Sequence, residues 1–537
     1  MQAVVPLIFR DWSTMNTPDS KARRYSVFSK IVATIGPASD TPEQVRRLIE
    51  AGVSVFRFNF SHGDFEAHAA RLKVVRGVAA EMGIQIACLG DLQGPKIRVG
   101  KVPAGVGEQA PSGGGLIRVA SGQDVILKRG IEESFIRRTG TAEEVVLSVT
   151  YERLIDEVEP GHKVLINDGA IRMLALSRDA EAGELRCRVV VGGAISSKKG
   201  INVPQSDLSA PAVTERDWEW VKWAVAQRLD FLALSFVRNS ADVIALRNGI
   251  AACEPAGGSG EAPWIPIVSK IEMPQAVADL SAIVEHSDVV MVARGDLGVE
   301  MDIARVPVVQ KQIIRVCNDF GKPCIVATQM LETMIESAVP TRAEASDVAN
   351  AIFDGADAVM LSAETATGKH PVLVVETMTR IINVAEERIR ETLKPSSPPL
   401  RTVAGHRATA ALAHGAWEIA RDLCAKAVVC WSQNGGTARY LSQNSFDVPI
   451  FAFTSDPVSA RRMALYKGVT AVVSEPPASG KLSDWNEQTE RLLVDLGAVT
   501  AGDFLVLLAG RPLGRAKATN TIAIHRVGEA VRGFRDA

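Results

Sequence analysis

Short apolar runs rich in valine and isoleucine recur along the chain from Lys30 onward, and helix-length amphipathic segments lie between most of them. The runs are KIVATI (30–35), VSVFRF (53–58), IQIACLG (84–90), LDFLALSF (229–236), IPIVSKI (265–271), DVVMVA (288–293), CIVAT (324–328) and DAVMLS (357–362). Continuously apolar strands are typical of a parallel sheet that is buried on both faces. Eight such strands alternating with helices predict an α/β fold, a (β/α)8 TIM barrel.

One long segment, 97–204, interrupts this alternation. It is rich in glycine and valine, and turn signals such as PSGGG, EPGHK and NDG separate short alternating stretches such as VILK and LRCRVVVGG. This pattern predicts a small β-barrel domain inserted after the third barrel strand. Because the active site of such a barrel lies at the carboxyl ends of its strands, the insertion is expected to act as a lid.

A segment rich in proline and serine, ETLKPSSPPLRT, precedes a second α/β alternation near the end of the chain. It is typical of a linker, and the alternation after it predicts a separate domain. The predicted boundaries are an N-terminal arm over 1–25, a catalytic barrel over 26–96 and 205–390, a β-rich lid domain over 97–204, a linker over 391–402 and a C-terminal α/β regulatory domain over 403–537.

Composition and charge narrow the classes of function. Lys plus Arg number 60 and Asp plus Glu 62 in 537 residues, and aromatic residues make up 5%. This balance argues against a nucleic-acid binder and a membrane-surface protein, and no apolar run reaches the ~18 residues of a membrane helix. Seven scattered cysteines without C-x-x-C spacing argue against a disulfide framework or a zinc site. A reducing, cytoplasmic location is therefore expected.

Residues suited to binding or catalysis lie at the ends of six of the eight predicted strands. They are Arg57, Asn59 and Ser61 after strand two, Asp91, Lys96 and Arg98 after strand three, Lys270 and Glu272 in strand five, Arg294, Gly295 and Asp296 after strand six, Thr328 after strand seven and Glu364 after strand eight. Any one of them alone is more often a surface charge or a capping residue. Six strand ends meeting at one barrel mouth predict a functional site.

The residue types at this mouth favour phosphate chemistry. Glu272 and Asp296 suit Mg²⁺, a hard ion that takes few protein ligands and leaves room for phosphate. Lys270 suits charge neutralisation on a phosphoryl group during transfer, and Arg57 matches phosphate oxygens with its planar donor fork. Backbone amides around Gly295 can hold a carboxylate or phosphate at a helix start.

A glycine-rich phosphate loop is not found in the sequence. The nearest approach, AETATGKH, has Ala363 where glycine is required and His370 where a hydroxyl is required. No G-x-G-x-x-G follows a strand into a helix. Any nucleotide is therefore expected to be held by scattered groups.

The ordered strings KIVATIGPAS, FNFSHG, GPKIR, KKGIN, VSKIEMPQAV, MVARGDLGVE, ATQMLETM, PTRAEASDVANAIFDGADAVMLSAETA and TNTIAIHRVG resemble the pyruvate kinase family from Lys30 to the C-terminus. The resemblance implies phosphoryl transfer from phosphoenolpyruvate to ADP, giving pyruvate and ATP in the last step of glycolysis. It also implies Mg²⁺ as the metal, with Mn²⁺ as an alternative ion, and a homotetramer. The inserted segment corresponds to the mobile lid domain of that family.

The resemblance also assigns roles to individual residues. Lys270, Arg57 and Thr328 look like catalytic residues, and Glu272 and Asp296 like the metal ligands. The remaining assignments are Arg57, Lys270, Gly295, Asp296 and Thr328 as phosphoenolpyruvate contacts, Asn59, His62, Arg98 and Lys199 as nucleotide-side residues, and Asn59, Ser61, Asp91, Leu92 and Lys96 as the monovalent-cation region.

One motif departs from the family pattern. Where relatives commonly have D-T-K-G-P-E-I-R, this chain has D-L-Q-G-P-K-I-R, so Lys96 replaces a glutamate and Leu92 a threonine that gives its backbone carbonyl to K⁺. A fixed ammonium can take over the electrostatic role of a bound ion. We therefore expect an enzyme that does not require K⁺.

The C-terminal domain binds a phosphorylated effector in relatives, and the loop WSQNGGTARY is the candidate here. Its candidate residues are Ser432, Asn434, Gly435, Gly436 and Thr437, which can form a phosphate-holding nest. An ordinary strand-to-helix turn is an equally good interpretation, because Gly436 stands where relatives usually have arginine.

Two other functions are compatible with parts of the sequence. A pyruvate-forming aldolase or lyase on a related barrel can use Mg²⁺ and enolpyruvate chemistry, but it lacks the lid and the C-terminal domain. A catalytically silent metabolite sensor would be favoured by loss of Lys270, Glu272 or Asp296, and all three are present. Formation of ATP from phosphoenolpyruvate and ADP separates these alternatives.

Overall fold

The computed structural model describes residues 28–110, 113–139, 142–254, 262–391, 401, 407–444 and 446–529. The predicted N-terminal arm, and the predicted linker apart from residues 391 and 401, lie outside the described residues. Eight strands coincide with the eight apolar runs: Lys30–Thr34 (β1), Val53–Asn59 (β2), Ala87–Asp91 (β3), Phe231–Leu234 (β14), Ile267–Ile271 (β15), Val289–Ala293 (β16), Cys324–Ala327 (β17) and Ala358–Leu361 (β18).

These eight strands close into a barrel in the order β1-β18-β17-β16-β15-β14-β3-β2, and every neighbouring pair is parallel. Almost every strand residue is buried, which explains why the strands are apolar without alternation. The predicted TIM barrel is therefore confirmed. All eight carboxyl ends face the same mouth, so the polar residues that follow them are brought together.

Helices cover the outside of the barrel, and several begin at a side chain that caps the first turn. Thr41 and Asp64 each accept a backbone N–H, and Thr214 and Thr341 form capping boxes. The helices are Pro42–Ala51 (α1), Phe65–Met82 (α2), Glu215–Ala226 (α4), Ser240–Ala251 (α5), Pro274–Ala278 (α6), Leu280–His286 (α7), Arg294–Glu300 (α8), Val306–Phe320 (α9), Arg342–Phe353 (α10), Ala363–Ala366 (α11) and Pro371–Glu391 (α12), with 3-10 turns at Ile303–Arg305 and Glu332–Ile335.

The chain between β3 and α4 forms two antiparallel-rich sheets with a hydrophobic core of their own. One sheet has seven strands in the order β13-β9-β10-β11-β6-β8-β7 and the other three in the order β12-β5-β4. The elements are Glu108–Gln109 (β4), Gly115–Val119 (β5), Asp124–Lys128 (β6), Phe135–Thr139 (β7), Ala142–Ser148 (β8), Leu154–Glu157 (α3), Lys163–Ile166 (β9), Ile171–Asp179 (β10), Glu184–Val191 (β11), Gly193–Ser196 (β12) and Ile201–Asn202 (β13). We refer to them as the lid. The outgoing and returning segments meet at a bridge between Arg98 and Gly200.

The C-terminal part is a five-stranded sheet in the order β21-β20-β19-β22-β23 with helices packed on it. The elements are Arg407–Asp422 (α13), Ala427–Trp431 (β19), Gly436–Ser442 (α14), Ile450–Thr454 (β20), Pro457–Met463 (α15), Val469–Val473 (β21), Leu482–Asp495 (α16), Phe504–Gly510 (β22) and Thr519–Arg526 (β23). The predicted α/β domain is confirmed, and α16 is an element that the sequence analysis does not predict.

Buried aspartates join the C-terminal part to the end of the barrel opposite the mouth. Asp230 and Asp357 directly precede β14 and β18, and they accept the N–H groups of Cys88 in β3 and Cys324 in β17, each at 2.8 Å. The C-terminal part reaches their other carboxylate oxygens, Arg461 at 2.8 Å from Asp230 and Gln443 at 2.9 Å from Asp357. Within the described residues, no helix is long and apolar enough to cross a bilayer.

Candidate active site

Lys270 lies at the centre of a buried cluster at the barrel mouth. Its ammonium is 2.8 Å from Glu272 Oε1 and 3.4 Å from Asp91 Oδ1, and it donates a hydrogen bond of 2.8 Å to Ser235 Oγ. The side chains of Lys270, Asp91 and Glu272 are 11%, 2% and 1% exposed. Burial alone lowers the pKa of Lys270, but the two carboxylates outweigh it and raise the pKa well above the ordinary value. The ammonium is therefore charged.

Asp91 stands between two cations. Arg57 Nε is 2.6 Å from Asp91 Oδ2, and Arg57 also donates to the hydroxyl of Thr34 at 3.0 Å. Burial acts to raise the pKa of Asp91, but Lys270 and Arg57 together hold it below its usual range. Asp91 thus fixes the two cations at the mouth and holds them close together.

Glu272 carries a negative charge that its surroundings only partly balance. Its Oε2 accepts the backbone N–H of Phe236 at 2.7 Å. Burial, together with the charge of nearby Asp296, raises the pKa of Glu272 to about 6 against the attraction of Lys270. Two buried or half-buried carboxylates that repel each other form a donor set that fits a hard divalent cation.

The end of β17 is tied to the first turn of α8. Thr328 has a φ of 67°, an unusual conformation for a β-branched residue that costs on the order of 1–3 kcal/mol. Its hydroxyl accepts the N–H of Gly295 at 2.8 Å and lies 2.7 Å from the carbonyl of Ala327. Arg294 donates to the Thr328 carbonyl at 2.7 Å and to Asp347 at 2.7 Å. In this structure the amide of Gly295 donates to the side chain of Thr328, and the hydrogen bonds of Arg294 stabilise the turn.

Two oxygen atoms of the predicted monovalent-cation region already accept hydrogen bonds from the protein. Asn59 Oδ1 accepts the N–H of Ser61 at 3.2 Å, and the carbonyl of Leu92 accepts the hydroxyl of Ser235 at 2.7 Å. His62, predicted on the nucleotide side, is exposed, and its carbonyl lies 2.8 Å from Nε2 of His68.

Lys96 and the predicted nucleotide cations lie on the two segments that connect the lid to the barrel. The ammonium of Lys96 is 4.0 Å from Asp168 Oδ1 in the lid, and its side chain is 29% exposed. Arg98 donates to the carbonyl of Lys198 at 2.9 Å, and the carbonyl of Lys199 accepts the N–H of Val99 at 2.8 Å. Within the described residues, no hydrogen bond or ion pair joins these side chains to the Lys270 cluster.

Sequence reasoning names no residue at the end of β14, where Ser235 and Phe236 contact the cluster. A serine within the run LDFLALSF, directly after its last leucine, was the available signal. Phe236 acts through its backbone N–H, and its φ of 55° is not visible in the sequence.

The predicted effector loop follows β19 in the C-terminal part. Ser432 Oγ accepts the N–H of Ala438 at 3.1 Å, and Thr437 Oγ1 is 2.6 Å from Thr519 Oγ1. Gly435 has a φ of 77° immediately before α14, and Asn434 is exposed. Two of the candidate hydroxyls thus already have partners within the protein.

Comparisons with known proteins agree over most of the chain. Residues 27–375 match the family model described as pyruvate kinase, barrel domain, and residues 410–525 match pyruvate kinase, alpha/beta domain. The chain is 40% identical over 501 residues to a pyruvate kinase of Mycobacterium tuberculosis, covering 93% of this chain and 98% of the relative. It is 39% identical over 504 residues to that of Corynebacterium glutamicum, covering 94% and 98%. A crystal structure of a pyruvate kinase from Cryptosporidium parvum superimposes with a TM-score of 0.81 at 32% identity, covering 96% of this chain and all of that one.

Proposed function

The chain belongs to the pyruvate kinase family, a family of phosphotransferases, and on that premise we propose that it transfers the phosphoryl group of phosphoenolpyruvate to ADP, with Mg²⁺ and without a requirement for K⁺. The observation that carries the proposal is the position of Lys270, 2.8 Å from Glu272 and 3.4 Å from Asp91 at the carboxyl ends of the barrel strands. A charged ammonium held there faces any phosphate that enters the mouth.

The residues at the mouth have different roles in the transfer. The bond between phosphorus and the enol oxygen breaks, a β-phosphate oxygen of ADP bonds to phosphorus, and the enolate takes a proton on carbon to give pyruvate. Lys270 and Arg57 offset the negative charge that is spread over the phosphoryl oxygens during this step. The family resemblance assigns Thr328 to the delivery of this proton, and closure of the lid would exclude water that competes with ADP.

Glu272 and Asp296 would hold the divalent ion. Together with Asp91 they make three carboxylates, and the cations beside them are Lys270 and Arg57. A bound cation would balance the remaining negative charge. When bound, Mg²⁺ or Mn²⁺ supplies charge neutralisation and fixes phosphate oxygens. Water and substrate oxygens would complete its coordination.

Independence of K⁺ is supported by the ion pairs and hydrogen bonds that already exist within the monovalent-cation region. Asp91 contacts Arg57 and Lys270, and the oxygens of Asn59 and Leu92 have protein donors. Lys96 adds an ammonium on the segment that leads into the lid, where its partner at 4.0 Å is a weak one.

The test is a steady-state assay of ATP formation from phosphoenolpyruvate, ADP and Mg²⁺, with K⁺ or with tetramethylammonium as the monovalent cation. We expect similar rates in both. Lys96→Glu should create a K⁺ requirement, whereas Lys101→Glu, a charge reversal at an exposed lysine that pairs with Glu133, should not. A large loss of rate in the parent protein without K⁺ contradicts K⁺ independence, and absence of ATP under every condition contradicts the transfer itself.

The family also leads us to propose a cytoplasmic homotetramer with a phosphorylated effector at the loop Ser432–Thr437. All seven cysteines are free, which supports a reducing compartment. Size-exclusion chromatography with light scattering tests the tetramer, and titration with sugar phosphates and AMP tests the effector.

A further inference from the structure

A cavity lies beneath the two segments that connect the lid to the barrel, and we refer to it as the hinge cavity. Its walls are largely apolar, formed on the lid side by residues such as Ile97 and Leu208 and on the barrel side by Phe236 and Met273. Polar side chains enter it at Asn202, which belongs to β13, and at Gln275 and Glu300, which belong to the barrel. The hinge cavity therefore adjoins both of the bodies that meet at the mouth.

Three of the residues that line this cavity each carry a buried side-chain oxygen atom that accepts no hydrogen bond from the described residues. These atoms are Asn202 Oδ1, Gln275 Oε1 and Glu300 Oε2. Asn202 and Glu300 are 9% and 6% exposed, and they are joined by a hydrogen bond of 2.6 Å from Asn202 Nδ2 to Glu300 Oε1. That bond fixes the two side chains and uses the other carboxylate oxygen, so the free acceptors are held in place.

Glu300 also lacks a cationic partner among the described residues. Burial raises its pKa to about 7 against the Asn202 hydrogen bond, and the charges of Asp296 and Glu272 add to the effect. A buried carboxylate without a counter-charge is costly, and a cation with N–H donors would satisfy it.

The two basic residues that line the cavity have other partners. Arg238 donates to the carbonyl of Leu208 and lies 3.6 Å from Asp242. The ammonium of Lys96 lies 4.0 Å from Asp168. Neither forms an ion pair with Glu300 in this structure.

We propose that the hinge cavity binds a small primary alkylammonium ligand, with its nitrogen on the oxygens of Glu300, Asn202 and Gln275 and its carbon skeleton against the apolar walls. A primary ammonium has three N–H donors for three acceptors and one positive charge for one carboxylate. An inorganic cation would gain nothing from walls of isoleucine, leucine, phenylalanine and methionine. Such a ligand ties the returning lid strand to the barrel, so it holds the lid hinge in one position.

The test measures binding of n-propylammonium to the full-length protein by thermal unfolding and calorimetry, in a HEPES buffer with tetramethylammonium as the only other cation. We expect a saturable rise in the melting temperature, because a ligand that binds only the folded state stabilises it. n-Propanol has no charge, tetramethylammonium has no N–H donor and K⁺ has no carbon skeleton, so none of the three should reproduce the effect.

Glu300→Gln keeps the shape of the side chain and removes its charge, and it should weaken n-propylammonium binding about tenfold or more. Glu336→Gln removes a carboxylate that is 70% exposed and pairs with Lys369, and it should bind as the parent does. Should Glu300→Gln fail to fold, Gln275→Leu removes one of the three acceptors and should also weaken binding.

Three results overturn the proposal. The first is no saturable effect of n-propylammonium, and the second is an equal effect of K⁺ or tetramethylammonium. The third is binding that appears only in Lys96→Met, which would identify the ammonium of Lys96 as the natural occupant of the cavity. None of these results depends on whether ATP is formed, so the test stands apart from that of the proposed function.

Discussion

Lys270→Met removes a cation that contacts both Glu272 and Asp91. Asp91 keeps Arg57 at 2.6 Å, so the loss falls mainly on Glu272. The pKa of Glu272 is already raised from 4.5 to about 6, so the folded protein loses about 2 kcal/mol of stability as pH rises through that interval. Without Lys270 the pKa rises further, and the loss continues above pH 6 at about 1.4 kcal/mol per pH unit.

The expected total follows from the cost of breaking a buried ion pair. Leaving one charge without its partner costs about 3–5 kcal/mol when that charge stays ionised. At about pH 8 Lys270→Met should therefore lose about 3 kcal/mol or more, and at about pH 5.5, where Glu272 is protonated, clearly less. Activity should fall at least 10²-fold, because a donor that acts on the transferring group is lost.

The assay is thermal or denaturant unfolding at the two pH values, with Lys101→Met as the matched control. Lys101 is 68% exposed and pairs with Glu133, which is 47% exposed, so its replacement should have a small effect that does not depend on pH. Added Mg²⁺ should recover part of the stability of Lys270→Met at about pH 8, because it returns positive charge to Glu272. An equal loss of stability at both pH values would refute the electrostatic reasoning.

Three further predictions concern the scaffold. Burial raises the pKa of Asp357 to about 6, so the parent protein loses about 3 kcal/mol of stability as the pH rises from about 4 to 6. Asp357→Asn should remove this loss, and denaturant unfolding at several pH values measures it. Arg461→Ala should destabilise the protein by about 3 kcal/mol because it removes the arginine that pairs with the carboxylate of buried Asp230. The coupling is measured in a double-mutant cycle with Asp230→Asn. Gly36→Ala should cost about 1–3 kcal/mol, measured by denaturant unfolding, because the added carbon would lie 2.5 Å from the carbonyl oxygen of Ala366, and an unchanged stability would contradict the packing seen here.

The barrel could be predicted from sequence because its strands are buried on both faces and therefore uniformly apolar. The same parallel geometry brings Arg57, Asp91, Lys270 and Glu272 to one mouth. A position at the carboxyl end of a predicted strand was therefore enough to predict that these residues lie close together. The helix Leu482–Asp495 was missed because its buried positions are interrupted by polar residues, although their spacing is helical.

Contacts that depend on an unusual backbone conformation, or that join the lid to the barrel, could not be predicted. The hydroxyl of Thr328 takes the N–H of Gly295, and this bond depends on a left-handed residue at the end of β17 that no local sequence rule requires. The pairing of Asn202 with Glu300 joins residues 98 positions apart in different sheets and helices. Such contacts depend on the path by which the lid returns to the barrel, and that path cannot be predicted from a single sequence.

The charge at the mouth bears on the order in which the proposed ligands bind. Within the Lys270 cluster, the three carboxylates of Asp91, Glu272 and Asp296 against the two cations Lys270 and Arg57 leave a net negative charge, and phosphoenolpyruvate and ADP are both anions. A divalent ion at Glu272 and Asp296 reverses the sign of that charge before a phosphate arrives. Raising the Mg²⁺ concentration should therefore lower the KM for phosphoenolpyruvate, and Asp296→Asn, which removes one carboxylate, should weaken this dependence. A KM that is independent of Mg²⁺ in the parent protein would mean that Lys270 and Arg57 alone suffice to attract the anion.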